Sequence, residues 1–314
     1  MLDKKILVTG AFGQIGSELV PALQQLYGMD GVVALGHKHV PEGFQGIVEK
    51  ADVGDLVSLV EVVKRHNIGT VFHLASLLSA AGERDPELAW KVNLQGLKLI
   101  LDLARDYKLK LFWPSSIAAF GPTTPRNDTP QRTVLEPTTM YGVTKVAGEL
   151  LCQYYHLRYG LDVRSLRFPG IMSHKTEPSD GTTEYAIAMF YEGIRKGEYQ
   201  CFLKPTTKLP MMYIDDVIRA VILLMEAPTE KLTIRTSYNL SAVSFGPQEI
   251  AAELTKFIPQ LKVTYLPDFH QAIADSWPTS IDDSEARRDW GWQHKFGLPE
   301  LVEAMYTNIK AKLG

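Results

Sequence analysis

The 314-residue chain is 45% hydrophobic and 22% charged, with 33 Lys and Arg against 36 Asp and Glu for a formal net charge of −3. Such a composition can bury a large core, and it excludes a disordered chain and a strongly basic binder of nucleic acid. Its two cysteines, Cys152 and Cys201, exclude a disulfide framework and a four-cysteine metal centre, so a reducing, cytoplasmic setting without a metal is expected.

Met1 to Lys5 lead straight into the apolar run Ile6, Leu7, Val8, with no signal-type stretch before Gly10. The apolar block at 220–225 is far shorter than the roughly 20 residues of a membrane span, and no membrane association is expected. The run at 6–9 ends on a glycine, and runs at 32–35, 70–74, 110–113 and 163–166 repeat its type. Continuous apolar runs suit strands covered on both faces. Helical spacing lies between them, at Leu56, Leu59, Val60 and Val63 and at Leu97, Ile100, Leu101 and Ala104. This alternation predicts an α/β fold, a doubly wound parallel sheet of Rossmann type.

After about residue 170 the pattern loosens into a turn-rich stretch at 178–181. Helical faces follow at Val217, Ala220, Val221 and Leu224, at Ile250, Leu254, Phe257 and Ile258, and at Leu298, Leu301, Val302, Met305 and Ile309. Short strand-like pieces stand at 199–203 and 263–266. Residues 1–170 are therefore expected to form the dinucleotide-binding domain. Residues 171–314 should form a smaller, mainly helical substrate lobe over the carboxyl ends of the strands, with room for a strand and helix returning to the main domain.

Gly10-Ala11-Phe12-Gly13-Gln14-Ile15-Gly16 follows the first predicted strand and opens a helix. Gly10 can make the tight turn, Gly13 can let backbone approach a pyrophosphate, and Gly16 can let helix and strand pack closely. Further on, Tyr141-Gly142-Val143-Thr144-Lys145 places a phenol and an ammonium one helical turn apart, and Ser115-Ser116 ends the preceding strand. A phenol ordinarily ionises near 10, and a neighbouring ammonium favours the phenolate. Tyr141 can then take the proton of a substrate alcohol, with Ser116 holding the alcohol oxygen and Lys145 reaching the cofactor ribose.

The glycine spacing, the Tyr-x-x-x-Lys pentad and the serine strand together resemble the extended branch of the short-chain dehydrogenase/reductase family, whose members include nucleotide-sugar epimerases. The resemblance implies cofactor contacts from Gly10, Phe12, Gly13, Gln14, Ile15 and Gly16, and from Asp52-Val53 at the adenine. It implies others from Leu74 and Ala75 beside the nicotinamide ribose, from Asn93 in a structural role, and from Tyr141, Lys145 and Phe168. Dinucleotide folds that prefer NAD commonly carry an acidic residue after the second strand, whereas this chain has Gly36-His37-Lys38. His37 or Lys38 could accept a 2′-phosphate, which keeps NADP open; Gln14, in a loop without Arg or Lys, favours NAD.

Within that branch, the stretches 113–125, 180–186 and 275–278 resemble the short-chain L-threonine 3-dehydrogenases. This implies oxidation of the threonine 3-hydroxyl to 2-amino-3-oxobutyrate with NAD, the small-molecule substrate held by Ser79, Ser116, Tyr141, Gly181, Thr182 and Thr183 and enclosed by Trp277. It also implies a homodimer through helices at 84–107 and 140–159, the second carrying Leu150, Leu151, Tyr154, Tyr155 and Leu157. Two alternatives stay open. One is an epimerase-type enzyme that recycles a tightly bound NAD, against which stands Arg167-Phe168-Pro169-Gly170-Ile171 in place of the Asn and Tyr-Gly-Pro usual there. The other is a non-catalytic dinucleotide sensor, which would have no need to keep both Tyr141 and Lys145.

Overall fold

The computed structural model describes residues 4–37, 40–179 and 181–314; the expected cofactor residue Lys38 lies outside them. Its strands are β1 (Lys5–Thr9), β2 (Val32–Gly36), β3 (Ile47–Lys50), β4 (Ile68–His73), β5 (Lys110–Ser116), β6 (Val163–Phe168), β7 (Gly170–Met172), β8 (Glu198–Cys201), β9 (Leu209–Tyr213), β10 (Tyr238–Asn239), β11 (Val243–Phe245) and β12 (Lys262–Tyr265). Its α-helices are α1 (Gly16–Tyr27), α2 (Leu56–Arg65), α3 (Ser79–Arg84), α4 (Pro86–Ala89), α5 (Gly96–Tyr107), α6 (Met140–Tyr159), α7 (Tyr185–Lys196), α8 (Ile214–Glu226), α9 (Pro247–Leu254), α10 (Phe269–Asp275), α11 (Ser284–Trp290) and α12 (Leu298–Leu313).

The main sheet runs β10-β6-β5-β4-β1-β2-β3 with every neighbouring pair parallel. Along β1 successive side chains point to opposite faces. Ile6 and Val8 therefore pack with Leu19 and Leu23 of α1, while Leu7 joins Leu59 of α2 and Leu97 and Leu101 of α5. Each fully buried aliphatic chain contributes roughly 1.5–3 kcal/mol, and burial on both faces is why these strands read as unbroken apolar runs. The strand order reverses direction at β1 and β4, and ligands bind such sheets where the carboxyl ends diverge.

The C-terminal half adds β10 to the main sheet, a β11-β9-β7 sheet, and a parallel pair of β8 with β12. The helix expected over 84–107 is broken. Pro86 starts α4, Asp85 caps it by accepting from Leu88 N at 3.0 Å, and a π-helical turn at Trp90–Gln95 precedes α5. Proline is favoured in the first helical turn, where its missing N–H costs no helical bond, which sets the boundary. Among the described residues no helix is long and apolar enough to cross a membrane, and no group of three or more His, Cys, Asp or Glu could hold a metal ion.

Candidate active site

The chain leaves β1 through Gly10, at φ +65°, where a Cβ would lie 2.7 Å from Ala75 N. At Gly16, the first residue of α1, a Cβ would stand 2.3 Å from Gly10 O. Both conflicts are with backbone, which side-chain movement cannot relieve, so only glycine lets the turn draw the helix start against the strand end. Gly13 is exposed and its N–H donates to Gly10 O at 3.1 Å. Phe12 is half-buried, its ring edge-on to Phe44 at 5.2 Å.

Two cavities open beside this turn. One, of about 960 Å³ including its open mouth, is lined by Gly10, His37, Asp52, Val53, Ala75, Lys91 and neighbours. The other, of about 800 Å³ on the same measure, is lined by Gln14, Ile15, Leu74, Ser79, Ser116, Tyr141, Lys145, Phe168, Gly181, Thr182, Thr183 and Trp277. Leu74 faces one and Ala75 the other, so the β4 loop divides the adenosine-side residues expected from sequence from the reacting-side ones. Asp52 lies 3.6 Å from His37 Nε2.

Helix α6 starts where Thr139 Oγ1 accepts from Gly142 N at 3.1 Å. That cap sets Tyr141 in the first turn and Lys145 one turn on. Lys145 is buried; its Nζ donates to Pro114 O at 2.7 Å and lies 5.2 Å from the Tyr141 ring centroid, beside the ring face. The sequence expectation that this ammonium makes the phenol more acidic does not hold in the cleft as it stands. Burial pushes Tyr141 up to about 12, with a Ser116 hydrogen bond pulling the other way, and burial brings Lys145 down to about 7 against the attraction of Glu149. Removing both groups from water outweighs their closeness in sequence.

Asn93, in the π-helical turn, is buried and is not among the residues lining either cavity. Its Oδ1 accepts from Leu77 N at 2.8 Å and from Ser76 Oγ at 3.1 Å, and its Nδ2 donates to Leu77 O at 3.1 Å, so it fixes the loop between β4 and α3. His73, at the end of β4, is bonded through Nδ1 to Thr9 Oγ1 at 2.8 Å. Burial and the Lys145 charge push it down to about 3, so it is neutral at any working pH.

In the same cleft, Ser79 and Thr182 are buried, and Thr182 Oγ1 has no hydrogen-bond partner in the protein. Trp277 is buried and lines the same cleft. Glu184, not singled out from sequence, also lines it. Its Oε2 accepts from Ser179 N at 3.0 Å, and burial pushes the carboxyl up to about 7 against that bond and one with Gln14. The available signal is its place directly after Thr182-Thr183, just before α7 begins at Tyr185. Ser115, expected only to flank Ser116, donates from its Oγ to the buried Glu149 Oε1 at 2.6 Å.

The model of the NAD-dependent epimerase/dehydratase family matches residues 6–241. A mitochondrial L-threonine 3-dehydrogenase of Bos taurus is 49% identical over 306 residues, 96% of this chain and 82% of that protein. An L-threonine dehydrogenase of Cupriavidus necator, described as GalE-like and solved in a holo form, is 50% identical with a TM-score of 0.95 over 97% of this chain and 99% of its own. A monomeric L-threonine 3-dehydrogenase from a metagenome, in apo form, is 47% identical with a TM-score of 0.96, covering 98% of this chain and 100% of that one.

Proposed function

This chain belongs to the NAD-dependent epimerase/dehydratase family, and on that premise we propose that it oxidises the 3-hydroxyl of L-threonine to 2-amino-3-oxobutyrate with NAD. The observation that carries the reading is one cleft lined together by Ser116, Tyr141, Lys145, Ser79, Thr182, Thr183 and Trp277. Its relatives named for threonine dehydrogenation support the substrate. Net reduction of NAD on adding L-threonine tests it, and a protein that binds the dinucleotide without reducing it would favour the sensor reading.

A nicotinamide dinucleotide fits the glycine turn: the lack of side chains at Gly10 and Gly16 lets strand end and helix start close together, and the exposed Gly13 between them leaves backbone open to a pyrophosphate. Gly13, Gln14, Ile15, Leu74, Lys145 and Phe168 would hold its reacting half, and Asp52, Val53 and Ala75 its adenosine half. When bound it supplies the hydride acceptor. The Asp52 carboxylate beside His37 favours NAD, since it opposes a 2′-phosphate.

Ser116 Oγ holds the threonine hydroxyl, and Tyr141 Oη takes its proton as the hydride leaves the same carbon and the carbon–oxygen double bond forms. Burial leaves the Lys145 ammonium to lose its proton near 7 and the Tyr141 phenol far above that, so over the alkaline range the two groups keep one proton, and the minor form that carries it on Lys145, with Tyr141 as phenolate, is the base. Thr182 Oγ1, dry and unpaired, is placed to bond the charged end of the amino acid. Thr182→Val is expected to raise KM for threonine about 10-fold or more with kcat little changed and no loss of stability. A hydrogen bond to a charged group contributes roughly 1.5–3 kcal/mol, and valine buries no unpaired hydroxyl. An unchanged KM would remove Thr182 from the substrate site.

The epimerase alternative needs a cationic group for a diphosphate, and the Arg167 guanidinium is fully engaged inside the protein with Glu149, Gln131 O and Asn239 Oδ1. A homodimer through α5 and α6 and a reducing, cytoplasmic setting belong to the same reading. Leu150, Tyr154 and Leu157 of α6 are exposed while Tyr155 faces the core, and Cys152 and Cys201 are free thiols. Light scattering should return twice the chain mass; one chain mass would remove the dimer.

A further inference from the structure

Behind the reacting groups lies a buried ionic cluster that the proposed reaction does not use. Glu149 stands one helical turn beyond Lys145 on α6 and is 1% exposed. Its Oε1 accepts from Ser115 Oγ at 2.6 Å and from Arg167 Nε at 2.8 Å, and its Oε2 accepts from Arg167 Nη2 at 2.6 Å. Arg167 in turn donates to Gln131 O and Asn239 Oδ1, each at 3.0 Å. Asn239 Nδ2 donates to Thr129 O and Asp282 O at 3.1 Å. One carboxylate thus joins α6, the serine strand β5, β6 and the chain segments around Thr129 and Asp282.

We propose that Glu149 is a positioning residue for the oxidation, its buried carboxylate serving as the fixed counter-ion of Lys145 and locking the turn of α6 that carries Tyr141 and Lys145 against Ser115 and Ser116. The inference rests on the dehydrogenase reading. A buried ion pair is weak evidence for stability, because desolvation cancels much of its attraction, and a charge kept in the core calls for another reason. The neighbour of Lys145 supplies one: attraction to Glu149 opposes the burial that strips the ammonium of its proton. The other groups around the pair are Cys152 on α6, His73 on β4, Ser115 and Ser116 on β5, Arg167 on β6 and Glu83 on α3, which accepts from Met140 N at 2.6 Å. His73 is neutral and burial pushes the Cys152 thiol up, so Glu149 is the buried anion acting on Lys145.

The expected signature has two parts with one cause. In Glu149→Gln the ammonium loses its counter-ion, so the first proton of the Tyr141–Lys145 pair leaves more easily. The rising limb of the kcat/KM profile then moves to lower pH by roughly one unit, within the range that a close opposite charge exerts. The proton left on the pair then favours Tyr141 over Lys145, less phenolate forms, and the alkaline plateau falls about 10-fold. Glu149→Asp should recover most of the wild-type profile. A plateau that falls with no movement of the limb, or a profile identical to wild type, would overturn the inference by showing packing alone. If Glu149→Gln fails to fold with Arg167 unpaired, Glu149→Gln with Arg167→Met is read in its place against the same two outcomes. Wild-type protein that does not reduce NAD with threonine would defeat the dehydrogenase reading itself, whatever Glu149 does.

Discussion

Tyr141→Phe is expected to lower kcat for threonine oxidation by about a hundred- to ten-thousand-fold, the usual yield of a positioned proton acceptor, while NADH still binds with near wild-type affinity. The substitution removes one oxygen and leaves the ring that lies over Lys145. That oxygen bonds Ser116 at the cleft surface and no backbone group depends on it, so the fold has little reason to change. Burial raises the pKa of the phenol, so the proton is taken by the small fraction in which Lys145 carries the proton and Tyr141 is phenolate. Stopped-flow traces of cofactor reduction, with NADH fluorescence titration on the same sample, separate the two effects. Full activity in the variant would assign the base elsewhere.

The second large effect falls on stability. Arg167→Met strips the 1%-exposed Glu149 of its bidentate partner, and breaking a buried pair by removing one member costs about 3–5 kcal/mol. Urea unfolding should show that loss. The double variant carrying Glu149→Gln as well should recover most of it, because no uncompensated charge then remains. Equal losses in both variants would mean that the arginine matters for its packing on Phe120 and its bonds to Gln131 and Asn239 rather than for its charge.

The parts legible from sequence are those fixed by neighbours in the chain. Runs such as Ile6–Val8 announced strands covered on both faces because the alternation of faces cannot change, and Tyr141 and Lys145 share a helix face wherever that helix lies. The glycine turn was readable for the same reason, its strand and helix being adjacent in sequence. What escaped depends on contacts far apart in the chain. The short pieces near 199 and 263 read as isolated strands, and their mutual pairing as β8 and β12 rests on a register no local signal carries. Asp85-Pro86 sits inside an apolar pattern that spacing alone reads as one continuous helix, and the proline dictates its break. The charges misled most. Spacing put an ammonium beside the phenol, but only the fold decides how much water either keeps, and burial prevails at both. Glu149 and Arg167 look like surface residues until β5, β6 and α6 close around them.

The most direct measurement follows one labelled hydrogen. L-threonine carrying deuterium on its third carbon is incubated with the protein and NAD, with NADP in parallel, and the nicotinamide is analysed by mass spectrometry together with the aminoketone formed. One deuterium on each reduced NAD, one aminoketone per cofactor, a deuterium isotope effect on the chemical step, and much slower reduction of NADP are expected. No reduction of either cofactor, or reduction in which the label appears in solvent instead of on the nicotinamide ring, would contradict hydride transfer from threonine in this cleft.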